Sequence, residues 1–101
     1  MDTAEVTFTV SLCDFDGLPD AARAKAEERY AKTLTRQLGS TEQVCATLQW
    51  AQRLEEEPPE EITEEIKTGF ARWMKAVRAA TEAGMQGLGE GEGSFFEIRS
   101  A

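Results

Sequence analysis

The sequence predicts an α+β domain in the order β-α-α-α-β, three helices packed on a small two-stranded sheet made by the N- and C-terminal strands. Three observations carry that prediction. Both ends alternate apolar and polar residues with a period of two, the middle holds three apolar stripes at helical spacing, and glycine or proline stands at each junction. At 101 residues the chain suits one domain spanning 1–101. The apolar supply is thin, with nineteen Leu, Ile, Val and Phe helped by fourteen Ala, so the core should be small and alanine-rich.

The first strand is expected over 5–13, with Val6, Phe8, Val10 and Leu12 inward and Thr7, Thr9 and Ser11 outward. Asp14-Phe15-Asp16-Gly17 turns the chain, and Pro19 suits the first position of a helix over 19–38. Ala22, Ala26, Tyr30, Leu34 and Leu38 make its inner stripe, and Gly39 ends it. Ser40 and Gln43 read as a capping box for a helix over 41–56, with Val44, Leu48 and Ala51 inward and Trp50 and Leu54 at the margin. Pro58-Pro59 breaks that helix, and Pro59 is expected to start a third over 59–83. Ile62, Ile66, Phe70, Trp73, Met74 and Val77 form its stripe, the strongest in the chain. A glycine-rich, flexible connection over 84–93 leads to a strand over 94–100, with Phe96 and Ile98 inward and Phe95 and Glu97 outward.

Composition narrows function. Nineteen acidic residues against eleven basic ones leave a net charge of −8, which disfavours direct binding to nucleic acid or anionic membrane surfaces. With no histidine, Ser-His and Cys-His dyads and imidazole-ligated metals are excluded. No apolar run approaches a membrane span and no signal peptide opens the chain, so a soluble, cytoplasmic protein is expected. Cys13 and Cys45 lack the C-x-x-C spacing of a redox or metal pair and read as reduced thiols.

The string from Val10 to Leu18 resembles the first motif of haloacid-dehalogenase-like phosphatases, in which a strand ends in D-x-D-G. That resemblance implies a nucleophile at Asp14 and Mg²⁺ on Asp14 and Asp16. Leu18 stands where that motif has threonine, the strand alternates instead of being continuously apolar, and no βαβ units follow. A turn leading into a helix accounts for the same residues. An EF-hand would need acids at Leu12 and Arg23. Gly87-x-Gly89-x-Gly91-x-Gly93 follows a helix and carries Glu90 and Glu92, the reverse of a phosphate loop. Arg23, Lys25, Arg29, Lys32 and Arg36 have only Tyr30 among them as a stacking platform, so nucleic-acid binding gains little.

One feature stands apart from the rest. Residues 55–65 contain seven glutamates, Glu55, Glu56, Glu57, Glu60, Glu61, Glu64 and Glu65, and no base. So polar a block is expected to be solvated and to present an anionic face to a basic partner. In size, acidity and glutamate content the chain resembles small phage-encoded anti-defence proteins, anti-CRISPRs among them. That class-level resemblance implies a non-catalytic inhibitor that occupies a basic nucleic-acid-binding site on a partner protein or complex, needing no cofactor and no metal. Two alternatives remain open: a self-associating accessory subunit whose terminal strands complete a sheet across a homodimer, and, more remotely, a small-ligand binder or enzyme using Asp14, Asp16, Tyr30 or Cys45.

Overall fold

The computed structural model describes residues 7–88 and 93–100. Its elements are β1 (Phe8–Cys13), α1 (Asp20–Leu38), α2 (Thr41–Glu56), α3 (Glu64–Met85) and β2 (Phe95–Ser100), the expected α+β order. Residues 5 and 6 of the expected first strand, with Val6, and positions 89–92 of the glycine-rich stretch lie outside the described residues.

The two strands pair antiparallel, Phe8 opposite Ser100 and Cys13 opposite Phe95, so the sheet joins the two ends of the chain. Its alternation is realised as expected. Leu12 is buried, and Phe8, Val10, Phe96 and Ile98 pack on the helices. Phe95 is half exposed on the other face.

The core is built on the α1 stripe. Tyr30, Leu34 and Leu38 are buried with Val44 of α2 and with Ala76 and Ala80 of α3. Small residues on α3 let that helix approach α1 closely, and the Tyr30 and Phe96 rings stack with centroids 4.4 Å apart. Gly84 completes the fit, because a Cβ there would lie 2.5 Å from Cζ of Phe96.

Helix ends follow local chemistry. Pro19 is the N-cap of α1 and not its first helical residue, its carbonyl accepting from Arg23 N–H at 3.0 Å. Gly39 ends α1 at φ 107°, a backbone that L side chains rarely adopt. Ser40 Oγ accepts from Gln43 N–H at 3.2 Å, as the capping box requires.

α3 departs from expectation at both ends. It starts at Glu64, not Pro59, because Thr63 Oγ1 accepts from Ile66 N–H at 3.3 Å, whereas a helix begun at Pro59 would have only an apolar Pro58 as its cap. Glu64 and Glu65 then sit in the first turn, where the helix dipole favours them. At the other end α3 continues to Met85, which places Gly84 in the helix and not in the loop. Its last turn has no base of its own. Arg29 of α1 supplies one, its Nε donating to the Ala83 carbonyl at 3.0 Å and its Nη2 to those of Gly84 and Gln86 at 3.1 and 3.2 Å.

The favour is returned at the opposite end. Arg72 Nη2 of α3 donates to the Leu38 carbonyl, the last of α1, at 3.3 Å. The antiparallel pair therefore caps itself reciprocally. Arg29→Met, which keeps the stem and removes the donors, should cost about 2 kcal/mol in urea unfolding, the scale of charged hydrogen bonds to the backbone.

Candidate functional site

The α1–α3 register decides which part of α3 is left uncovered. Arg72 lies at the end of α1, so residues 64–71 run on past it. Eight residues at 1.5 Å each make an overhang of about 12 Å. The apolar stripe continues along the overhang with no α1 beneath it. Ile62 and Phe70, expected in the core, are accordingly 66% and 44% exposed; Met74, also expected in the core, is 48% exposed although it lies alongside α1, and Ile66, Trp73 and Val77 are half-buried. The residues of α3 that are fully buried are instead Ala76, Ala80 and Gly84.

The distal half of α2 packs on the overhang. Trp50 faces Phe70 at 6.0 Å between ring centroids, and its indole lies over Gly69, where a Cβ would meet Cη2 at 2.9 Å. Beyond Trp50 the helices part around a groove of about 400 Å³ lined by Leu54, Pro58, Pro59, Ile62, Ile66, Lys67 and Phe70. Six of those seven are apolar.

All seven glutamates named above surround this corner: Glu55 and Glu56 end α2, Glu57 caps it, Glu60 and Glu61 lie on the link, and Glu64 and Glu65 open α3. Every one is exposed. Lys67 is the base among the groove residues, and it is held by Glu64 at 3.4 Å. Among the described residues no three acidic or cysteine side chains converge on a point that could hold a metal ion. The same three segments that line the apolar groove thus carry all seven exposed glutamates, and Glu64, through Lys67, touches the groove lining itself.

The other residues considered for chemistry are dispersed. Asp14, at φ 58°, and Asp16 are exposed in the turn after β1. Tyr30 is in the core, where burial pushes its phenol up to about 12, against a weaker lowering by a hydrogen bond with the Thr81 hydroxyl. Cys45 is buried and its thiol donates to the Thr7 carbonyl at 3.4 Å. Burial raises its pKa, and desolvation followed by the Glu97 and Asp14 charges raises that of Cys13. Thr7 and Cys13 are six residues apart, about 20 Å along an extended strand, so the two thiols are too distant for a disulfide.

The basic stripe of α1 is partly structural. Arg29 caps α3, and Arg23 Nη2 donates to the Phe15 carbonyl at 3.3 Å. Lys32 pairs with Glu28 at 3.0 Å on the surface. On β1 one backbone amide, that of Leu12, donates to Glu27 Oε2 at 2.9 Å.

No family model, curated protein or solved structure matches the chain. Among the described residues no helix is long and apolar enough to cross a membrane.

Proposed function

We propose that this is a non-catalytic interaction protein that engages a basic surface of a partner through the α2–α3 corner, in the manner of an inhibitor occupying a nucleic-acid-binding site. The observation that carries this reading is the glutamate rim: seven exposed carboxylates on one corner, with its local lysine already paired. Such a surface attracts a cationic partner over roughly the 10 Å Debye length at 0.1 M salt, and it repels polyanions. The partner fitting that description is a basic protein that handles nucleic acid, because its own groove is shaped for closely spaced negative charge.

The test begins with capture on the tagged protein from nuclease-treated host lysate, eluted by rising salt. A basic nucleic-acid-handling protein, held at low salt and released as salt rises, is the expected catch. Its affinity should then fall at least tenfold in the Glu60→Lys/Glu61→Lys/Glu64→Lys/Glu65→Lys variant. These side chains are exposed, so the cost to the fold is confined to the α3 N-terminus, at about 1–2 kcal/mol for the reversed dipole contacts of Glu64 and Glu65. Unchanged affinity in a folded variant would refute the reading.

A further inference from the structure

We infer that the groove at the α2–α3 corner seats a basic amphipathic helix of the partner, its apolar anchors entering between Leu54 and Phe70 and its lysines and arginines meeting the glutamate rim. The basic character of this occupant rests on the reading above; its amphipathic character comes from the groove itself.

Three features of the corner fit that occupant. The floor is apolar and stays open because α3 overshoots α1, leaving Ile62 66% and Phe70 44% exposed. Exposed apolar surface rimmed by charge is how interaction sites present themselves on small proteins. The overhang of about 12 Å matches the roughly 10 Å between helix positions i and i+7, so one face of a helix with anchors at i, i+3 or i+4, and i+7 spans it. Lastly, each of the three segments that line the floor carries exposed glutamates, so the field at the groove is negative and favours a cationic polar face.

The same charges select against other occupants. A second copy seated corner to corner would bring its own seven glutamates against these. An anionic lipid surface or nucleic acid would be repelled as well.

The probe is a synthetic, amidated 18-residue peptide with leucine at i, i+3/i+4 and i+7 spacing and lysine elsewhere. A peptide of identical composition, shuffled to destroy the apolar face, is its control. Titration calorimetry should show the amphipathic peptide binding at least tenfold more tightly than the shuffled one. Ile62→Ser, outside every helix and two-thirds exposed, should erase that margin without moving the melting temperature; Phe70→Ser should erase it too, with a lowered melting temperature because its ring, within α3, packs on Trp50.

The outcomes separate the two readings. If the shuffled peptide binds equally well, or Ile62→Ser and Phe70→Ser leave the margin intact while the rim reversal weakens binding, the groove is not the seat and the acidic-surface reading survives. If the rim reversal leaves the amphipathic peptide bound as tightly while Ile62→Ser releases it, the groove stands as an apolar seat and the charge reading fails. A dimer in sedimentation analysis that dissociates on Ile62→Ser would hand the groove to a second copy and overturn the assignment.

Discussion

Gly84→Ala is expected to destabilise the protein by about 1–2 kcal/mol net, although alanine is the better helix former. Propensity alone favours alanine by about 1 kcal/mol. The methyl group, however, would sit 2.5 Å from Cζ of Phe96 and 3.0 Å from Cε2. That ring is backed by Tyr30, stacked on it at 4.4 Å and itself 1% exposed, so moving it breaks the stack. Overpacking of this kind costs about 1–3 kcal/mol and sometimes more, so it outweighs the propensity gain. Gly69→Ala is the internal control. There the new methyl meets the far end of the Trp50 indole, on a half-buried side chain with open groove beside it, so the ring can yield. The same substitution in the same helix should therefore be neutral or mildly stabilising at 69 and clearly harmful at 84. Urea midpoints of the two variants give the comparison. A stabilised Gly84→Ala would mean that the Tyr30–Phe96 stack is looser than its geometry implies.

Stability should also fall by about 2 kcal/mol as pH rises from 10 to 12, through Tyr30. An ordinary phenol loses its proton near 10, whereas burial pushes this one to about 12 in the fold. Below pH 10 both folded and unfolded chains keep the proton, and stability is at its full value. Between 10 and 12 only the unfolded chain ionises, which draws the equilibrium toward it. Above about 12 both are ionised and the loss levels off. The lysines titrate in the same range, so the informative quantity is the difference between the protein and Tyr30→Phe, which cannot ionise at that position. Urea unfolding at pH 9 and pH 11.5 should show a clear drop for the parent and a smaller one for the variant. Equal slopes would place the Tyr30 hydroxyl in contact with water.

How much of this was legible in the residues depends on whether a neighbour in sequence or in space decided the outcome. β1, α1, α2 and β2 were legible because their signals are local: alternation at Phe8–Leu12, the four-residue recurrence from Ala26 to Leu38, and Ser40 three residues before Gln43. The start of α3 was misread by giving weight to Pro59 and none to Thr63, although a hydroxyl three residues before Ile66 is itself a cap signal. The acidic rim was legible as composition. Its apolar floor was not, because a stripe running from Ile62 to Val77 reads as core along its whole length. Only the offset between α1 and α3, marked by the reciprocal arginines, determines that the first half of the stripe lies beyond the helix that would cover it. The capping role of Arg29 was hidden for the same reason, its partners being 54 to 57 residues away.

The pairing of Phe8 with Ser100 has a consequence for the order in which this chain can acquire its structure during synthesis. The ribosome delivers β1 before β2, so the sheet has no second strand until the eighty-one residues between them have been made. Throughout that interval Phe8, Val10 and Leu12 have only the helices for company, and Tyr30 waits for the ring that will stack on it. The helical contacts, closer together along the chain, can form earlier; the longest loop closes last. Nascent chains halted before residue 95 would carry the acidic corner and an unpaired β1 at once, and it is in that unfinished species that the exposed strand invites mispairing with another chain.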